Sequence, residues 1–126
     1  MNDACHQIIL DLQNPQFLPP LTVKRGDTGR SLHFLLTDHG KPYTITSECS
    51  AMFTALNPEG KILYHPCRIE DNTIVYTFIP QTCALAGELL CELKLYGLEE
   101  KVLTSPRFTL IVEDTVYSPE DAVEPI

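Results

Sequence analysis

"VKRGDTGRSLHFLLTDHGKP", Val23 to Pro42, is the stretch whose reading decides the fold. From Arg30 onward the residues alternate, with Leu32, Phe34 and Leu36 on one side and Ser31, His33 and Leu35 on the other. A period of two belongs to a strand that lays one face on a core. Turn residues close the segment at both ends. Gly26-Asp27-Thr28-Gly29 brackets an aspartate that can accept nearby backbone N–H groups, and Asp38-His39-Gly40-Lys41-Pro42 reads as the turn that follows the strand.

The same pattern recurs along the chain. Before it, "HQIILDLQ" sets Ile8, Leu10 and Leu12 against Gln7, Ile9 and Asp11, and "NPQFLPP" interrupts it. After it, "ECSAMFTAL" places Cys49, Ala51, Phe53 and Ala55 together. "NPEG" (Asn57 to Gly60) then reads as a tight turn returning the chain antiparallel through "KILYHPCRIE". Pro66 lacks a backbone donor, which predicts an edge position or a bulge there. Asp71-Asn72 turns into "TIVYTFIP", "QTCALAG" reads as a single helical turn, and "ELLCELKLYG" and "VLTSPRFTLIVE" supply the last strands. The sum is an all-β chain of seven to eight short strands. The expected fold is an antiparallel β-sandwich, immunoglobulin-like or jelly-roll-like, over residues 1–113. Residues 114–126 form an acidic C-terminal tail or the start of a linker.

Composition narrows the function. The 126 residues are 44% hydrophobic, enough for one continuous core. The net charge of −8 repels phosphate backbones, so no nucleic-acid partner is expected. No apolar run approaches a membrane span, and no membrane partner is expected. The start, "MNDACHQIILDLQ", lacks the basic and small-residue marks of a signal peptide, which sets the expectation of synthesis in the cytoplasm. Cys5, Cys49, Cys67, Cys83 and Cys91 are odd in number and form no C-x-x-C pair, as buried reduced thiols would. His65 and Cys67 would share a strand face, with Cys5-His6 as a second half, but zinc wants two close ligand pairs, and neither metal nor cofactor is expected.

Two familiar triplets overlap on Asp27. Arg25-Gly26-Asp27 spells a cell-adhesion signal, which works on a protruding extracellular loop. Asp27-Thr28-Gly29 spells the aspartate triplet of retroviral-type proteases, where two chains pool carboxylates that share a proton. That chemistry needs a buried apolar lead-in, whereas Lys24-Arg25-Gly26 is charged and Arg30 follows the triplet; Leu95-Tyr96-Gly97 is a poor echo of the later protease motif. Asp27 therefore reads as a turn residue. His6, His33, His39 and His65 form no nucleophile–base pattern; Ser31 and His33 share a face, but no nucleophile elbow surrounds the serine. Glu99-Glu100 and Glu120-Asp121 read as solvated surface. No catalytic residue is expected and the chain is read as no enzyme.

The order of these features resembles the N-terminal domain of the phage baseplate upper protein family, from tails of phages and prophages of Gram-positive bacteria. The matching features are the "GDT" turn before a long strand and the "D-x-G-x-P" turn at Asp38, Gly40 and Pro42. They continue with the "P-x-G" hairpin at Pro58 and Gly60, the "A-G" step at Ala86 and Gly87, and the "TSP-x-F" segment at Thr104, Ser105, Pro106 and Phe108. The likeness covers about residues 6 to 113. It implies a β-sandwich that is a structural component of a tail baseplate, anchors the host-adhesion apparatus to the tail, and performs no catalysis. The implied partners are other phage tail and baseplate proteins together with copies of itself, a homo-oligomer and often a trimer. The implied location is the virion, after assembly in the bacterial cytoplasm. Family members continue into further regions, so a short connector or an N-terminal piece is expected here. Two alternatives stand beside this reading: a carbohydrate-binding β-sandwich module, for which the lack of Trp leaves few aromatic platforms, and the dimeric aspartic protease using Asp27.

Overall fold

In the computed structural model, which describes residues 4–14 and 17–116, the described chain folds into ten strands and no α-helix. They are β1 (Ala4–Asp11), β2 (Leu21–Lys24), β3 (Arg30–Asp38), β4 (Lys41–Pro42), β5 (Ser50–Leu56), β6 (Ile62–Glu70), β7 (Thr73–Thr77), β8 (Gly87–Tyr96), β9 (Val102–Thr104) and β10 (Phe108–Glu113). They join in one sheet with the order β1-β3-β7-β6-β5-β8-β10-β2, while β4 pairs with β3 and β9 with β8.

The all-β expectation holds, with two corrections. There are ten strands among the described residues rather than seven or eight, because β2, β4 and β9 are too short for a two-residue period to reveal. The sheet is mixed rather than antiparallel: β1 runs parallel to β3, and β10 parallel to β2. The chain leaves β1 at one edge, forms β2 at the far edge and returns beside β1 as β3. Periodicity shows which face a residue takes and is silent about which strand lies alongside.

The sheet curls, and its two wings meet through their inner side chains. Phe34 of β3 lies 5.3 Å from Phe108 of β10, and Phe53 of β5 stacks on Tyr76 of β7 at 4.0 Å. Tyr76 is fully buried, so its hydroxyl needs a partner; it bonds to the hydroxyl of buried Thr82 at 2.7 Å. Thr82 lies in the "QTCALAG" segment, which is a hydrogen-bonded turn (Thr82 N–H to Ile79 O, 2.9 Å) and not a helical one. The strand between the wings is β6, whose residues from Ile62 to Cys67 pair with β5 and from Arg68 to Glu70 with β7. Pro66 stands where β7 has already parted from β6, so its missing N–H breaks no ladder bond. The expected edge position is therefore local to one side of the strand.

β9 and β10 both run along β8, but Thr104 faces Lys94 while Phe108 faces Cys91, so four steps on one strand oppose three on the other. Ser105-Pro106-Arg107 thus holds a β-bulge. Ser105 closes the gap by donating its N–H to Leu93 O and accepting the Leu93 N–H on its hydroxyl, both at 2.9 Å.

Two polar details fix the remaining geometry. Asp11, 7% exposed, accepts the N–H groups of Gln13 (3.0 Å) and Asn14 (2.9 Å) on one oxygen. Its other oxygen accepts the Thr37 hydroxyl (2.8 Å) and the Gly40 N–H (2.7 Å). Gly87 adopts φ +130°, and a Cβ there would sit 2.7 Å from Pro58 Cγ, so the NPEG turn packs directly onto the start of β8.

Two outcomes follow. Gly87→Ala meets both a forbidden backbone angle and a rigid ring, and should lower unfolding free energy by more than about 1 kcal/mol in urea titration; an unchanged midpoint contradicts the contact. The backbone N–H groups of Asn14, Gly40 and Gln13, with the Thr37 hydroxyl, hold the Asp11 carboxyl well below its ordinary value of 3.8. A carboxyl depressed in the folded state stabilises fully above its unfolded pKa and loses that contribution as pH falls toward the folded one. Stability should therefore decline below about pH 4, and Asp11→Asn should be less stable at neutral pH with a flatter acid limb.

Candidate docking surface

The quoted Asp27 sits in the turn between β2 and β3 and works there as an acceptor. Its carboxylate takes the Arg30 Nε at 2.6 Å and the Lys24 N–H at 3.3 Å, while its own N–H donates to Lys24 O. Gly26 N–H donates to Cys83 O at 2.8 Å, seating the turn on the segment before β8. Arg30 also bonds His6 Nε2 at 2.9 Å, and burial together with the Arg30 charge pushes the His6 pKa down, so the imidazole is a neutral acceptor. Asp27, Arg30 and His6 thus tie the turn to β1.

The other candidates are equally occupied by structure. Ser31 is 3% exposed and donates to Cys5 Sγ at 3.5 Å, so it accepts from His33 Nε2 at 3.2 Å. That polarity is opposite to a base activating a nucleophile. His65 and Cys67 do share the inner face of β6, where His65 meets the Tyr76 ring edge-on and burial pushes the Cys67 thiol up to about 12. Cys5-His6 lies on β1, beyond β3 and β7, three strand spacings or about 14 Å away. Among the described residues no three metal-ligating side chains come together, and no helix is long and apolar enough to cross a membrane. Tyr64 and Tyr96 both point out from the sheet, but they lie two strands and four residues apart, about 16 Å, and form no joint platform.

What the sequence reading passed over lies at the far end of the sheet, where β8 finishes. A groove of about 650 Å³ is lined by Tyr43, Cys49, Leu95, Leu98, Val102 and Leu103. Leu98 is 62% and Val102 50% exposed, unusual for side chains of that size side by side. The cause is local. After Gly97 the chain makes one 3-10 turn, Leu98–Glu100, with Glu99 and Glu100 both at positive φ (60° and 62°), and β9 then returns along β8 with all three residues exposed. Consecutive left-handed non-glycine residues are strained. Glu99 and Lys101 also line the groove, one carboxylate and one ammonium. The groove is about 20 Å along β3 from Asp27, since Tyr43 N–H bonds Leu36 O at the opposite end of that strand. Such a surface offers apolar area for contact with another protein.

Comparison with known proteins gives a consistent picture. The family model described as the BppU N-terminal domain, that of the baseplate upper protein, matches residues 5–124. Among solved structures, the "N-terminal domain of phage TP901-1 ORF48" superposes with a TM-score of 0.72 at 15% identity, covering 87% of this chain and 98% of that one. At that identity the likeness establishes the shared fold. A comparison with curated proteins finds no match. With the family model spanning nearly its whole length, the chain belongs to the BppU N-terminal domain family and is a structural domain of the phage tail baseplate.

Proposed function

We propose that this domain fastens the host-adhesion apparatus to the phage tail, without catalysis, and that the groove beyond β8 is where it meets another baseplate protein. The observation that carries the reading is the family match over residues 5–124, supported by the fold shared with the TP901-1 protein. Leu98, Val102 and Leu103 supply apolar area, and Glu99 and Lys101 add one charge of each sign, the apolar centre and polar rim of a protein contact. The domain associates with copies of itself in keeping with a symmetric tail device. Assembly takes place in the bacterial cytoplasm, a setting that suits five cysteines with no disulfide between them.

Reconstitution tests the reading. Tails assembled without this protein should take up the wild-type chain, and a Leu98→Glu/Val102→Glu double variant should attach on the order of tenfold more weakly or worse. Wild-type protein that fails to join such tails refutes the role, and a double variant that joins normally refutes the groove. For Asp27, Asp27→Asn and wild type should both leave peptides uncut at acid pH; cleavage by wild type that the variant loses would restore the protease reading.

A further inference from the structure

Among the described residues the hydrogen-bonding ladder is open at β1, β2, β4 and β9 and along β6 from Ile62 to Pro66, and all but β1 carry a device against further pairing, which on β6 is Pro66. β4 is two residues long and consists of Lys41 and Pro42. β9 has three residues and runs into the bulge at Ser105. On β2, Arg25 N–H donates to Glu113 O of β10, so Lys24 turns its backbone groups outward, and Asp27 takes both: its carboxylate accepts the Lys24 N–H and its N–H donates to the Lys24 carbonyl. Charge, proline, shortness and a local cap are the usual means of keeping edges apart.

β1 carries no such device on the strand itself, although Leu18, Pro19, Pro20 and Leu21 stand across a groove from Gln7, Ile8 and Ile9. It is eight residues long, and Cys5 through Leu10 contain no proline and no carboxylate, lysine or arginine, in a chain with 17 acidic residues. Its only imidazole, His6, is held neutral by burial and by Arg30. The directions of its backbone groups follow from the parallel ladder. Ala4 N–H donates to Gly29 O and Leu12 N–H to Thr37 O, so even-numbered residues address β3. Gln7 and Ile9 therefore turn their N–H and C=O groups to the other side, where no strand lies among the described residues. Ile9 is 51% exposed there.

We propose that β1 pairs antiparallel, edge to edge, with β1 of a second copy, giving a two-fold dimer with a continuous sheet. The edge is self-complementary. With Ile8 on the axis, Gln7 opposes Ile9 of the second copy, and the two pairs exchange four N–H···O bonds. Ile8 meets its own counterpart on the inner side, over a groove lined by Leu18, Leu21 and Phe108, and extends that apolar surface. The register meets no local charge conflict. Two chains of −8 repel in general, yet this register sets Asp11 against Cys5 and brings no carboxylate opposite another, and the Asp11 oxygens are already engaged by four donors. The contact is a two-fold one and leaves room for threefold symmetry elsewhere in the assembly. It rests on the self-association in the preceding reading and not on attachment to a tail, so a monomeric domain that still joins tails would overturn this proposal alone.

Sedimentation equilibrium on the wild-type chain, from micromolar to millimolar, is the test. The expected result is a reversible monomer–dimer equilibrium. Ile9→Pro removes two of the four bonds and disturbs no bond to β3, because that N–H faces outward; it should weaken the dimer about tenfold or more. Near-ultraviolet circular dichroism checks that the variant keeps the wild-type fold. Hydrogen exchange on the wild type gives a readout independent of mutation: the Gln7 and Ile9 amides should gain protection as concentration rises, while the Thr22 amide at the opposite edge should not. A monomer at every concentration overturns the proposal. So does a dimer unaffected by Ile9→Pro, or one whose concentration-dependent protection falls outside β1.

Discussion

The fold depends on the passage from β1 to β2. These strands are neighbours in sequence and stand at opposite ends of an eight-strand path, with only residues 12–20 between them. On a flat sheet the two edges would lie about 34 Å apart, the whole reach of ten peptide steps. The sheet therefore curls until β1 and β2 approach across a groove lined by residues of both. The Asp11 carboxylate holds the start of this passage. It caps the turn off β1 through Gln13 and Asn14 and, through Thr37 and Gly40, clamps that turn to the β3–β4 hairpin.

Curling brings the inner faces together, and the aromatic residues fill the space. The pairs Phe34–Phe108 and Phe53–Tyr76 join the wings, and the bend between them falls on β6 near Pro66, where one side of the strand has no ladder to lose. The same logic explains where apolar surface escapes the core. The β8–β9 connection is too short and too strained at Glu99 and Glu100 to fold Leu98, Val102 and Leu103 back inside. A structural domain that must hold another protein has use for such a surface, whereas Asp27, Ser31 and His33 are consumed by contacts within their own chain.

Much of this was legible from residue order. The alternation of Leu32, Phe34 and Leu36, of Ala51, Phe53 and Ala55, and of Leu89, Cys91, Leu93 and Leu95 placed the core residues correctly, because a half-buried strand writes its faces directly into sequence. The NPEG and Asp71-Asn72 turns were legible through their residue types. The parallel pairings were not, since Gln7 and Ile9 look the same whether β3 or β10 lies beside them. Asp11 was placed on the outer face, and only its position two and three residues before Gln13 and Asn14 hinted at a capping role. The groove was missed because "GLEEKVL" reads as a polar turn, and nothing local says that Leu98 and Val102 remain outside. The glycine at position 87 was visible as part of a family pattern, but its reason, the Pro58 ring beneath it, belongs to the tertiary structure.

The crossing, the curl and the open edge of β1 all follow from the parallel pairing of β1 with β3. Backbone nuclear Overhauser effects on isotopically labelled protein report it directly. The structure predicts contacts in parallel register, His6 with Leu32, Ile8 with Phe34 and Leu10 with Leu36. An antiparallel register between these strands, or contacts placing β1 beside β10, would contradict it.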